Sequence, residues 1–307
     1  MKKFILKVLL FLVVIAIVDK AFGFAMANVL RHTNKGDWGR NNFILNDVES
    51  DVIILGSSRA IHHYNPLIIA DTLGMSCYNC GEDGMGIFLM WARYQAIRKR
   101  HNPKLVIYEV LPEYDLLENH DNMKYLKFLR PYCDKSFISS VICDVSSRES
   151  VKLWSQMYLY NSVFVEIVQQ SMSKSPSTAK EYTYFPLCGQ MNYNPKVNDH
   201  KDVHFDPLKL AYLKDLIIQS KEDKVRLVFT ASPIYRPQSD REYMPLKNLC
   251  CEYGVPFINH YCDSVYSENP TFFADASHLN IRGAELFTTL VVSEIKDTIQ
   301  KKGNGVQ

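Results

Sequence analysis

An excess of charge of either sign is missing from this 307-residue chain: 35 Lys and Arg stand against 33 Asp and Glu, a formal net charge of +2. A nucleic-acid binder ordinarily shows a strongly basic face or stripe, so the balance argues against that class. Also missing are internal repeats, low-complexity tracts and any Pro/Gly/Ser run long enough to mark a linker. Together with 47% apolar and 22% charged residues, these absences leave one large globular domain and some material to spare. Zinc spacing is incomplete, because Cys77-Tyr-Asn-Cys80 has no second Cys pair or His pair to accompany it. No metal and no cofactor is therefore expected. Cys77 and Cys80 read as packing residues or disulfide partners, and the eight cysteines fit an exported protein without defining a framework.

Long apolar runs are scarce too. The longest, Phe4 to Val18, is interrupted by Lys7, comes after Lys2 and Lys3, and stops at Asp19-Lys20. Fifteen helical residues rise about 22 Å, against roughly 30 Å of bilayer core. Continuation through Ala21 to Ala25 and snorkelling of Lys7 would close the gap. The run predicts an N-terminal transmembrane helix within residues 1–30. A cleaved signal peptide is the competing reading, since Ala25-Met-Ala27 has the small-x-small pattern of a cleavage site. Both readings export the remainder of the chain, and the basic start puts the N-terminus on the cytoplasmic side.

What is present begins with Asp51-Val-Ile-Ile-Leu-Gly-Ser-Ser-Arg59. Four β-favouring apolar residues suit a central parallel strand covered on both faces, and Ser58 would sit at its carboxyl end, where open α/β sheets place their chemistry. A serine there needs a base. Far downstream, Phe273-Ala-Asp275-Ala-Ser-His278-Leu-Asn280 puts a carboxylate three residues before an imidazole, just ahead of a helix. On a tight turn Asp275 can accept from one ring nitrogen of His278 while the other faces outward to take the Ser58 proton. His62 and His63 have no adjacent carboxylate to orient them, and loop or surface roles are expected for both. Strand patterns at 75–78, 104–110, 225–230 and 256–258 alternate with helical ones, which makes a five-stranded parallel α/β sheet. Between about 113 and 204 the pattern changes to longer, aromatic-rich helical segments, with Ser173–Ser177 as a loop. The expectation is a helical insertion over the active-site edge of one domain running from 45 to 302.

Gly56-x-Ser58 with Asp275-x-x-His278-Leu-Asn280 resembles the SGNH/GDSL hydrolase superfamily, from about Asp51 to the last helix. The anchor, Ser57 where soluble members usually carry Asp, and Arg59 are most similar to its membrane-anchored members that serve the cell envelope, such as D-alanine transfer and alginate-acetylation proteins. The resemblance implies a flavodoxin-like sheet and a Ser58–His278–Asp275 triad. Asn79-x-Gly81-x-x-Gly84 matches the second block, so Gly84 inherits the role of oxyanion donor beside the Ser58 N–H, with Gly81 as substitute. Arg59 and Asn79 become substrate-binding candidates. The Asn that soluble members carry after the third strand is absent, since the stretch here reads Leu111-Pro-Glu-Tyr-Asp115. The implied function is a serine esterase or O-acyltransferase acting on O-acyl groups, acetyl first, of an envelope or capsular polysaccharide at the cytoplasmic membrane. A membrane-bound O-acyltransferase is the implied partner. The alternative is a non-catalytic glycan-binding or assembly protein that keeps the fold.

Overall fold

The computed structural model describes residues 1–174, 179–180, 183–193, 203–237 and 239–303. In chain order its main elements are α1 (Lys2–His32), α2 (Gly36–Asn46), β1 (Val52–Gly56), α3 (Ser58–His63), α4 (Pro66–Leu73), β2 (Cys77–Asn79) and α5 (Ile87–Arg98). Then come β3 (Leu105–Glu109), α6 (Pro112–Asp115), α7 (Ser136–Val145), α8 (Glu149–Lys152), α9 (Gln156–Tyr160) and α10 (Phe164–Ser171). The last are α11 (Pro207–Glu222), β4 (Arg226–Ala231), α12 (Met244–Tyr253), β5 (Phe257–Asn259), α13 (Ser264–Ser267) and α14 (Ile281–Gly303). They group into two compact units, Met1–Asp47 with Asn122–Tyr182, and Val48–Asp121 with Thr183–Gln307. Of the helical stretch expected between 113 and 204, residues 122–182 thus share a unit with the N-terminal helices. Residues 175–177 of the expected loop lie outside the described residues.

The second unit is the α/β body. Its five strands are all parallel, in the order β2-β1-β3-β4-β5 that flavodoxin-like sheets adopt. β1 pairs with β3 from Val52↔Leu105 to Gly56↔Glu109, and β3 with β4 from Leu105↔Arg226 to Glu109↔Thr230. All five residues of β1 and of β3 are buried, as expected of central strands with helices on both faces. One face, with Val52, Ile54, Leu105 and Ile107, packs on Phe287, Val291, Val292 and Ile295 of α14. Their spacing gives α14 a single apolar stripe facing the sheet. Sequence punctuation sets several element ends: Asn65 caps α4 through the Leu67 N–H, Asp206 caps α11, and Gly74 and Gly254 close α4 and α12 in the left-handed conformation.

In the first unit α1 runs for 31 residues over the stretch where a transmembrane helix was expected, and no described helix is long and apolar enough to cross a membrane. The physical reason is Asp19-Lys20. Asp19 accepts hydrogen bonds from the Gln156 and Met157 N–H groups (2.9 Å each) and the Ser155 hydroxyl (2.8 Å), and so caps α9. Lys20 donates to the Trp154 carbonyl at 3.1 Å. From there on α1 is a packed helix of this unit, with Phe22 edge-on to Tyr160 and Phe164. Residues 1–18 are exposed at every position.

Gly56 ends β1 with φ +136°, a conformation that L side chains rarely adopt, and a Cβ there would press on the Glu109 carbonyl and lie 2.9 Å from the Ala60 Cβ. Gly56→Ala is expected to destabilise the α/β unit by about 3 kcal/mol through backbone strain and overpacking. Urea unfolding checks it, and an unchanged midpoint would show that this turn relaxes freely.

Candidate active site

The turn after β1 follows from Gly56. Its conformation lets the chain leave the sheet sharply, Ser57 becomes the N-cap of α3, and Ser58 is the first helical residue. A first-turn N–H has no partner within its own helix, and the Ser58 N–H has none elsewhere among the described residues. The other half of the site is a tight loop closed by a bridge between Phe273 and Leu279 and by the Ala274 N–H to the His278 carbonyl at 2.9 Å. Inside it Asp275 accepts from the N–H groups of Ser277 (2.8 Å) and His278 (2.9 Å), so the carboxylate is fixed before it meets the imidazole.

The structure brings Ser58, His278 and Asp275 together. His278 Nδ1 lies 3.0 Å from both Asp275 oxygens, and Nε2 lies 2.8 Å from the Ser58 hydroxyl. With the ring proton held on Nδ1 by the carboxylate, the Nε2 lone pair faces the serine. Burial alone would raise the Asp275 pKa, but the hydrogen bonds from the His278 ring and the two N–H groups outweigh it and hold the carboxyl below its ordinary value. It is therefore ionised whenever the imidazole needs it.

Gly84 sits at φ +66° in the turn after β2, with open space where a Cβ would go, and its N–H has no partner among the described residues. The Gly81 N–H, in contrast, is bound to the Asn79 side-chain oxygen at 3.0 Å and is not free to serve as a donor. The two substrate-binding candidates have other employment. Asn79 is fully buried, and its amide donates to the Ala60 carbonyl at 2.7 Å and the Tyr64 carbonyl at 3.3 Å, which ties α3 to β2. Arg59 is 1% exposed and points away from solvent, donating to the Ser232 carbonyl and the Tyr243 hydroxyl with its Nε 3.7 Å from Glu109. Both side chains are thus buried in the scaffold beneath the serine, with protein groups as their partners. In the stretch after β3, Asp115 braces the chain: it accepts from the Tyr108 hydroxyl and the Leu111 N–H, both at 2.8 Å. Burial pushes its pKa up to about 7.

The two histidines after Ser58 are also placed differently from the expectation. Both rings stand edge-on to His278, with centroids 5.7 Å away for His62 and 6.0 Å for His63. His62 donates from Nδ1 to the Phe185 carbonyl (2.6 Å), and its Nε2 lies 3.1 Å from an Asp83 oxygen. Its carboxylate was distant in sequence. His63 is fully buried between the Ser232 hydroxyl and the Leu279 N–H. One signal did point to this region, since Glu109 closes an otherwise apolar strand and Ser232 comes directly after another, both at the carboxyl edge where a charged or hydroxyl group needs partners. None of the eight cysteines is disulfide-bonded, and no three His, Cys, Asp or Glu side chains gather as a metal site among the described residues.

No protein-family model and no curated protein matches the chain. Among solved structures it is similar to a GDSL-like lipase from Bacteroides thetaiotaomicron VPI-5482, with 12% identity and a TM-score of 0.37 over 80% of this chain and 88% of that one. It is also similar to a lipase/acylhydrolase from Enterococcus faecalis, with 13% identity and a TM-score of 0.36 over 80% and 96%. At those scores the functional reading has to stand on the geometry of the site.

Burial disfavours a charged His62, but the hydrogen bonds to Asp83 and the Phe185 carbonyl, with the negative charges of Asp83 and Asp275, outweigh it and raise its pKa. A raised pKa gives stabilisation that is fully present below the ordinary value of 6.5 and is lost as pH rises through the folded value. Because Asp83 is 62% exposed the pair contributes under about 1 kcal/mol. Asp83→Asn should therefore lower the urea midpoint at pH 5.5 and leave it unchanged at pH 9. An equal loss at both would mean that the ion pair is not the cause.

Proposed function

We propose that the protein is a serine-dependent acyl-transfer enzyme of the SGNH/GDSL type that acts on O-acyl groups, acetyl first, of an envelope or capsular glycan. The observation that carries this reading is the unbroken chain from Asp275 through His278 to the Ser58 hydroxyl, with separations of 3.0 and 2.8 Å, at the carboxyl edge of a parallel sheet. In the reaction His278 Nε2 takes the Ser58 proton as the oxygen attacks the ester carbonyl. The Ser58 and Gly84 N–H groups receive the developing oxyanion. Collapse expels the alkoxide, which takes the proton from His278 and leaves an acyl-Ser58. Water or a sugar hydroxyl, deprotonated by His278, then accepts the acyl group and frees the serine.

The same reading puts the protein at the exterior face of the cytoplasmic membrane, held by Phe4 to Val18. That stretch is apolar and exposed around the whole helix, whereas a protein groove would cover one stripe only. There it would meet a polysaccharide acceptor and a membrane-bound O-acyltransferase able to supply acyl groups. Transfer is favoured over hydrolysis where a bound glycan outcompetes ~55 M water, and effective molarities of 10⁵ to 10⁸ M for well-oriented groups allow it.

A fluorophosphonate should label Ser58, and Ser58→Ala or His278→Ala should abolish labelling, with Asp275→Ala weakening it less because an unoriented imidazole still accepts a proton. Labelling at Ser57 instead would sink the assignment of Ser58 as the nucleophile, and no labelling of the folded protein would leave the non-catalytic glycan-binding reading in its place. With an activated acetyl ester and envelope oligosaccharides, mass spectrometry should detect acetylated sugar; free acetate alone with every acceptor would make the protein an esterase. Removal of residues 1–18 should shift the protein from the membrane fraction to the soluble one, and unchanged partition would refute the membrane attachment.

A further inference from the structure

Beneath the triad lies a buried polar chain that the proposed reaction does not use. His63, the last residue of α3, accepts the Leu279 N–H at its Nε2 (2.9 Å), and Leu279 is the residue after His278. A ring nitrogen that accepts an N–H carries no proton, so the proton of the neutral ring is on Nδ1, 2.7 Å from the Ser232 hydroxyl. Ser232 passes its own hydrogen to Glu109 at 2.7 Å, and its backbone N–H bonds the same carboxylate at 2.9 Å. Glu109 also receives the Tyr64 hydroxyl at 2.5 Å and faces Arg59, next to the serine. The directions of donation are consistent along the whole chain, and they require a neutral His63. Burial favours that state, as do the neighbouring His278, Arg59 and His62, and the His63 pKa falls well below its usual value.

We propose that His63 is a positioning residue for the candidate base: it holds the Leu279 amide, and through it His278, at a set distance from Ser58. The geometry that supports this is the single six-residue helix α3, which carries Ser58 at its first position and His63 at its last. Five residues of α-helix rise about 7.5 Å, a short rigid span between the nucleophile and the brace on the loop that bears the base. The loop itself belongs to a distant segment, 216 residues along the chain from His63, and its own hydrogen bonds fix Asp275 against His278 without fixing either to Ser58. The backbone carbonyl of His63 is held in turn by the Thr288 hydroxyl of α14 (2.9 Å), so the brace is anchored at both ends of the residue. His62, one position earlier, is directed instead to Asp83 and the Phe185 carbonyl and makes no hydrogen bond to this loop.

The proposal rests on the acyl-transfer reading for its kinetic arm but not for its spectroscopic one. With activated ester as substrate, His63→Ala should lower kcat by about 10²-fold with KM within twofold, the loss typical of a small misplacement. His63→Gln should recover at least tenfold of it, because the amide oxygen can accept the Leu279 N–H while the amide nitrogen donates to Ser232. Ser232→Ala, which removes the acceptor of the Nδ1 proton and one donor to Glu109 while leaving the Leu279 N–H to Nε2 bond in place, should lose less than His63→Ala and again in kcat. By proton and nitrogen NMR of histidine-labelled protein, His63 should appear as the Nδ1–H tautomer from pH 5 to 9. The downfield Nδ1 proton of His278 should weaken in His63→Ala and return in His63→Gln. Wild-type kcat in His63→Ala, a loss confined to KM, or a glutamine variant no better than alanine at equal melting temperature would overturn the proposal. If His63→Ala fails to fold, His63→Gln and Ser232→Ala decide: an unperturbed His63 tautomer and full kcat in Ser232→Ala would overturn it. Wild-type protein inert to ester and fluorophosphonate would sink the acyl-transfer reading alone, leaving the NMR comparison to judge the brace.

Discussion

A carboxylate and a guanidinium share the interior of the sheet's carboxyl edge, and much of the site is arranged around supplying them with partners. Glu109 is fully buried and Arg59 is 1% exposed, yet they are 3.7 Å apart, a separation that pairs their charges without a direct hydrogen bond. Two ions taken out of water are costly unless every remaining lone pair and N–H finds a partner. Tyr64, Thr230 and Ser232 supply donors to Glu109. The Ser232 carbonyl and the Tyr243 hydroxyl accept from Arg59, and the Tyr261 ring lies 5.5 Å from its guanidinium carbon, while its buried Nε has no hydrogen-bond partner among the described residues and meets Glu109 only as a charge. Burial opposes the Arg59 charge, but the nearby Tyr243 and Glu109 raise its pKa on balance, so it remains a cation. The partners come from β3, β4, α3 and the segments after them, so satisfying one pair fixes the ends of three strands relative to the serine.

That arrangement explains what was legible in the sequence and what was not. The strand before Ser58, the Asp275-x-x-His278 turn and the alternation of strands with helices are local patterns, governed by spacing of apolar residues and by turn residues such as Gly74, Gly254 and Asn65. Strand and helix ends were accordingly readable to within a few residues. Burial of polar residues is a property of the assembled edge. Arg59 and Asn79 look like ligand-binding side chains in one dimension because Arg and Asn are usually exposed; only the fold reveals that their partners are Glu109, Tyr243 and the carbonyls of α3. His63 was hidden for the same reason, since its partners Ser232 and Leu279 lie 169 and 216 residues away. The apolar N-terminus was visible as a run, but the role of Asp19 as a cap for α9, 137 residues on, was not.

Electrostatics at the surface of the site work against those beneath it only in part. When Ser58 gives up its proton, His278 becomes a cation, and a protonated His62 edge-on at 5.7 Å opposes that charge. Asp275 stands much closer, with both oxygens 3.0 Å from Nδ1. Coulomb energy falls with distance and is weakened further by solvent at the exposed Asp83–His62 pair, so attraction to Asp275 dominates. Asp83 then offsets the rest, because its oxygen lies 3.1 Å from the His62 ring nitrogen. The order of groups Asp83, His62, His278, Asp275 places each potential cation beside its own carboxylate. Such an order lets one imidazole serve as a base while its neighbour carries charge. It also ties the turn that holds Gly84 to the helix that holds Ser58, because Asp83 is the residue before Gly84 and His62 belongs to α3. The two consecutive histidines therefore face opposite halves of the site: His62 toward the turn with the oxyanion-donor candidate, His63 toward the loop of the base, with the serine on the same short helix between them.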